Sequence, residues 1–335
     1  LPIWEDCRSD VAIADPIERT RRAPTLDALY QEVTRLEMTP GWIKRPQPIL
    51  WSAPKSAFVA AHWRYDECKA ALDAAGRLID VALAERRNLV MRSPIPDNSF
   101  ATTRTLVAAY QMILPGEHAP PHRHAPHALR VIIEAEGAYS NVNGLRTPME
   151  TGDVVLTPGW HWHSHGHDGD APAYWFDGLD VPLTQLLEPM FYEEHPDPAG
   201  YERNSTLAAS SPFRFTRADI ARALDKAPPD AAGGKTRRIR LDAPSMAHLD
   251  LSVLRLESGA ATERQRATIN GCVSVMAGSG TSRIGDTTIA WRRGDSFGIP
   301  CWEWQEHRAS SDAELFLMTD EPLMRFANFY RAETA

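Results

Sequence analysis

Apolar positions along this chain change their period near residue 100. Upstream, residues 27–37 set Leu29, Val33 and Leu36 on one helical face, and Thr25 stands where a cap is needed. Residues 66–78 set Cys68, Ala71, Leu72 and Ala75 on the face of another helix. The proline-rich PGWIKRPQPILW between them predicts extended or turned chain. From about Thr102 the apolar runs shorten and are bounded by Gly, Pro and Asn, as in TLVAAYQMIL, LRVIIEAEG, GDVVLTP and PAYWFDGLDV. Such runs predict strands, and Asn143-Gly144 predicts a hairpin turn. A Pro/Gly/Ala-rich connector from His195 to Lys235 holds a brief helix after Thr216, and the strand pattern then resumes.

The resumption is a repeat. GDVVLTPGWHWHSH (Gly152 to His165) returns as GDSFGIPCWEWQEH (Gly294 to His307) at an offset of 142 residues. Strands this short and regular indicate an all-β barrel or sandwich, here two in tandem with helices before and between them. The expected division is a helical arm over 1–100, one barrel over 101–194, a connector over 195–235 and a second barrel over 236–335.

Composition narrows the partners. Net charge is −8 and no Lys/Arg block is present, against a nucleic-acid ligand. No apolar run approaches a bilayer span. The start LPIWEDCRSD has no apolar centre, against a secretory leader. Cys7, Cys68, Cys272 and Cys301 are far apart, against a disulfide framework or a thiolate zinc site, so the cytoplasm is the expected compartment. An anionic ligand would need local arginines to overcome the overall charge.

Chemistry gathers in the first barrel. His122 and His124 alternate in PPHRHAPH and point to one face of a strand, and His163 follows 41 residues after. Three imidazoles brought to a barrel mouth suit Fe, Zn, Cu or Ni. His118, His127, His161 and His167 read as surface or supporting residues. At the constant offset the three ligands become Arg264, Arg266 and Gln305, while Gly294, Asp295, Pro300, Trp302 and Trp304 persist. Guanidinium groups stay protonated and bind no metal, so the second barrel is expected to be a metal-free copy.

AERRNLVMRSP, QMILPGEHAPPHRHAPHALR, METGDVVLTPGWHWHSHG and WFDGLDVPL together resemble the gentisate 1,2-dioxygenase family of bicupins, whose relatives act on salicylate, substituted salicylates and 1-hydroxy-2-naphthoate. The resemblance runs from about Pro24 to Arg331. It implies two tandem cupin jelly rolls and one Fe(II) per chain on His122, His124 and His163, with O₂ as co-substrate. It implies opening of gentisate, a substituted gentisate or a related aromatic hydroxy acid such as 5-nitrosalicylate between the carboxyl- and hydroxyl-bearing carbons, and a homotetramer. An aromatic-acid-binding cupin without activity, or a metal-dependent isomerase, are the competing readings.

The resemblance also assigns roles. Arg130, with the parity of His124, and Arg86 match arginines that take the substrate carboxylate; Arg87 reads as a surface ion pair. Gln111 matches a pocket glutamine, with Val107 and Ala109 on the same side of its strand. His165 shares the face of His163, and Asp177 matches a carboxylate that would orient it, although His165 persists as His307 in the second copy. The family has an aromatic residue where Val107 stands and an acidic turn where Arg92-Ser93-Pro94 stands; Tyr110 also departs. A smaller wall and an added cation favour a bulkier or electron-poor aromatic acid.

Overall fold

The structure, a computed structural model, describes residues 15–43, 49–80, 87–207, 210–230 and 234–335. The chain divides into two units, Leu1–Ala53 and Pro54–Ala335. The first holds helices Pro16–Arg21 and Leu26–Arg35; Thr25 Oγ1 accepts from Ala28 N at 3.2 Å, and Arg19 pairs with Glu32 across the two helices. The sequence start with Cys7, part of the proline-rich stretch and Arg86 lie outside the described residues. Among the described residues no helix is long and apolar enough to cross a membrane.

In the second unit, strand Val107–Ile113 is buried at every position, which a strand with one solvated face cannot be. Ile113 joins Ile132, Ala173 and Trp175 inside one jelly roll. Ala108, Tyr110 and Met112 turn the other way, into a core shared with Leu251, Val253, Phe316 and Met318 of a second jelly roll. Period-two alternation thus serves two cores at once. One sheet of the first roll runs Arg214–Phe215, Val154–Thr157, Ala128–Glu134, Ala173–Leu179, Val107–Ile113, Arg87–Met91. The facing sheet runs Tyr192–Glu194, His118–His124, His163–His167, Ala138–Val142, Leu145–Met149, Thr206–Leu207. The second roll repeats the plan, with Ala61–Trp63 at one sheet edge and Ala332–Thr334 at the edge of the other.

Those edge strands cross between the copies. Ala61–Trp63 precedes the first roll yet pairs with Ser296–Ile299 of the second, and Arg214–Phe215 precedes the second yet pairs with Val154–Thr157 of the first. The helices that follow them begin on the repeated Gly-Asp turns. Asp295 Oδ1 accepts from Tyr65 N at 2.9 Å at the start of helix Tyr65–Leu78, and Asp153 Oδ1 accepts from Arg217 N at 2.9 Å at the start of helix Arg217–Lys226. A carboxylate there satisfies an orphan donor and complements the helix dipole. Gly152 and Gly294 have φ of +90° and +91°, and a Cβ on either would stand 2.7 Å from Arg217 or 2.6 Å from Tyr65. The shared Gly-Asp therefore seats a helix in each copy.

Tyr110, a departure from the family pattern, is explained here. Its hydroxyl donates to Gly294 O at 2.7 Å and lies 3.1 Å from Ser296 Oγ, so it braces the two rolls and does not line the first roll's interior.

Candidate metal centre

Strand His118–His124 pairs with His163–His167, setting His122 directly opposite His163. The ligand nitrogens of His122, His124 and His163 lie within 4.8 Å of one another, the one such group among the described residues. Each ring is held by its other nitrogen. His122 Nδ1 lies 3.0 Å from Pro120 O, His124 Nδ1 2.7 Å from Pro126 O and His163 Nδ1 2.9 Å from His161 O. A carbonyl only accepts, so Nδ1 carries the proton in all three and Nε2 presents its lone pair. His163 Nε2 is buried without a hydrogen-bond partner. Burial first, then the neighbouring His122, His124 and Arg130, hold the His163 imidazolium well below its ordinary range, so the ring is neutral as a ligand must be. Three imidazole nitrogens with fixed tautomers and one orphaned buried lone pair fit a divalent transition metal. Glu134, the first carboxylate after His124, turns away to accept from Tyr65 Oη at 3.0 Å.

Behind the imidazoles, the ladders place Arg130 opposite Asp177 and Gln111 opposite Trp175. Arg130 is fully buried; its Nη1 donates to Thr157 Oγ1 at 2.5 Å and its Nε lies 3.6 Å from Asp177 Oδ1. Gln111 Nε2 and Trp175 Nε1 are buried with no hydrogen-bond partner, the condition of donors that await a ligand. Val107 and Ala109 share the face of Gln111 on their strand. Asp177 faces Arg130 across the ladder, and Ser140 Oγ lies 2.8 Å from His165 Nδ1. That ring is 5.8 Å from His163 and 6.2 Å from Trp175.

Two residues are buried, which rules out the surface reading of each. Arg87 is buried, with two nitrogens on Ile79 O and Nη1 on Glu117 at 2.6 Å, so its ion pair is internal. His167 is fully buried, Nε2 donating to Ala171 O at 2.5 Å, and so belongs to the scaffold and not to the surface.

The second roll is an internal control. Gln265 stands opposite Gln305 as His122 stands opposite His163. Arg266 pairs with Glu333 and stacks on Trp302 and Trp304; Arg123 pairs with Glu193 and stacks on Trp160 and Trp162. Arg266 is therefore the twin of Arg123. The counterparts of His122 and His124 are Gln265 and Ala267, which corrects the Arg264 and Arg266 expected from a constant offset. None of the three histidines is kept in the second roll. Deeper in, Arg130 and Asp177 correspond to Val273 opposite Leu317, and Gln111 and Trp175 to Leu254 opposite Leu315, all in an apolar core. The Ser140–His165 contact, by contrast, recurs as Ser282 Oγ to His307 Nδ1 at 2.7 Å, which marks it as part of the scaffold.

A cupin-domain family model matches residues 109–181. The chain is similar to gentisate 1,2-dioxygenase 1 of Aquipseudomonas alcaligenes, 32% identical over 328 residues that cover 90% of this chain and 94% of that one. A 5-aminosalicylate 1,2-dioxygenase of Comamonas sp. is 32% identical over 340 residues, covering 92% and 90%. The salicylate 1,2-dioxygenase of Pseudoaminobacter salicylatoxidans, solved with gentisate, superposes with a TM-score of 0.83 at 27% identity, covering 93% of this chain and 94% of that one.

Proposed function

Because this chain belongs to the gentisate 1,2-dioxygenase family of cupin ring-cleaving dioxygenases, we propose that it opens gentisate or a ring-substituted gentisate between the carboxyl- and hydroxyl-bearing carbons, with O₂ as co-substrate. The product is a maleylpyruvate-type acid. The observation that carries this reading is the polar set in the first roll, three oriented imidazoles backed by Arg130 and Gln111, at positions that the second roll gives to Gln265, Ala267, Gln305, Val273 and Leu254. We assign residues 101–194 as the catalytic cupin and 236–335 as its metal-free structural copy.

We take the metal as iron(II), one per chain, on His122, His124 and His163; when bound it supplies the redox and oxygen chemistry of ring opening. Three neutral ligands bring no negative charge, which suits a substrate arriving as an anion through both carboxylate and hydroxyl. Arg130 receives the carboxylate: a guanidinium with five donors can hold Thr157, Asp177 and a ligand together. Arg86 serves as a second cation from the arm. Gln111 and His165 hydrogen-bond the polar ring substituents and fix the ring's orientation. Val107 and Ala109 form the apolar wall. The protein is assigned to the cytoplasm as a homotetramer, in keeping with the family resemblance.

The test is oxygen uptake by protein loaded with Fe(II) under anaerobic conditions, followed with the absorbance of the ring-opened product. One O₂ consumed per gentisate supports the reading, and no consumption would leave a binding protein or an isomerase. Running salicylate, 5-nitrosalicylate, 1-hydroxy-2-naphthoate and a halogenated gentisate beside it ranks the substrates.

A further inference from the structure

Each roll holds a buried aspartate ahead of a short helix, Asp180 before Val181–Leu186 and Asp320 before Glu321–Phe326. Each accepts a backbone N–H from its own roll, His127 N on Asp180 Oδ1 at 2.7 Å and Asn270 N on Asp320 Oδ1 at 2.8 Å. Each also takes a side chain from the segment leading into the other roll. Thr105, two residues before Val107–Ile113, donates to Asp320 Oδ2 at 2.7 Å, and His248, two residues before Asp250–Leu256, binds Asp180 Oδ2 through Nε2. The contacts are equivalent and the residues are not. The metal-free copy uses Asn270 and Thr105; the first roll has two histidines, with rings 4.6 Å apart.

What this contact supports also differs. His127 follows Pro126, whose carbonyl accepts from His124 Nδ1, and His127 Nδ1 accepts from Gly159 N at 2.7 Å. Trp160 N then donates to His124 O at 2.8 Å. A run of contacts therefore starts on the lead of the second roll, passes through Asp180 and the backbone of residues 126–127, and ends on the imidazole of a metal ligand. At the same place the second roll has Ala267, with no ring to orient.

We propose that Asp180 and His248 are positioning residues for His124, so that the roll without metal ligands holds one of the ligands of its neighbour. The inference rests on the metal reading of the three histidines. Hydrogen-bonded partners behind metal ligands fix ring orientation, and their loss weakens metal binding by roughly tenfold to a hundredfold.

Co(II) affinity of the full chain, measured by competition with a chelator, together with the visible spectrum of bound Co(II), tests it without reference to turnover. His248→Ala should weaken Co(II) binding about tenfold to a hundredfold and shift the visible bands. His248→Gln, which keeps a donor toward Asp180, should restore most of both. Thr105→Ala, which removes the equivalent contact on Asp320, should change neither. Unaltered affinity and spectrum in His248→Ala would overturn the proposal, as would equal weakening in Thr105→Ala, the mark of general loosening. Should His248→Ala fail to fold, His248→Leu, which fills the ring's space without a donor toward Asp180, replaces it with the same expected loss. A wild-type chain that bound no Co(II) or Fe(II) would sink the metal assignment, and the brace with it; a chain that bound metal but consumed no oxygen would sink only the dioxygenase reading.

Discussion

Arg130 and Asp177 face each other across neighbouring strands inside the first roll, Nε 3.6 Å from Oδ1, where the second roll places Val273 against Leu317. Two charges this deep lose more solvation than a loose pairing returns, and an apolar pair is the better answer to stability alone. The second roll has that answer, so the first keeps its pair for something else. Removing one partner should be costly and removing both much less so. Arg130→Val and Asp177→Leu should each destabilise by about 3–5 kcal/mol, and the double variant should recover most of that in chemical denaturation. A double variant as unstable as the worse single one would contradict the argument.

For substrate capture, Arg130→Met should weaken affinity for the aromatic acid and leave metal content unchanged. A charge-assisted hydrogen bond contributes about 1.5–3 kcal/mol, which corresponds to roughly tenfold to a hundredfold in affinity. Titration of the metal-loaded variant below its melting range measures it. Unchanged affinity would reduce Arg130 to a partner for Asp177.

On the proposed function, Val107 and Ala109 line the ring and set a size limit. Val107→Trp should lower kcat/KM on halogenated or nitro-substituted substrates and spare the smallest accepted ring. Steric exclusion rejects a ligand more strongly than the loss of apolar contact, which discriminates by only about 1–3 kcal/mol per methylene. Equal losses on every substrate would assign Val107 to packing.

How much of this was legible beforehand depended on distance along the chain. The alternation in His122-Arg123-His124 survives any error of register, because neighbours two apart share a face whatever they pair with. The pairing of the copies was less robust. The offset is 142 residues between Ser140 and Ser282 but 143 between Arg123 and Arg266, and the difference moves Arg266 from beside His124 to beside Arg123. Only the ion pairs and ladders show which is right. Tyr110 had a legible parity, and what it faced became visible only with the second roll in place. The crossing of Tyr65 onto Asp295 and of Arg217 onto Asp153 leaves no mark in local periodicity, since each joins residues far apart in sequence. The contact of His248 with Asp180 was hidden for the same reason.

Acid should weaken the second roll through His307. Burial, with a smaller push from Arg238, holds its ring down to about 3, against about 6.5 in an unfolded chain. Between those values the unfolded chain binds a proton that the folded one refuses, so the stabilisation present above about 6.5 is lost as pH falls toward 3. His307→Gln removes this loss. Denaturation midpoints at successive pH values should show the variant gaining on the wild type as pH drops from about 6.5 to about 4. A constant gap would contradict the assignment.

On the proposed function, one roll binds metal and its twin serves as structure. Metal analysis after complete anaerobic loading with Fe(II) and removal of loose ions tests it most directly, on the wild type and on His163→Ala. One iron per chain is expected for the wild type and almost none for the variant. Two irons per chain, or a full complement in His163→Ala, would contradict it.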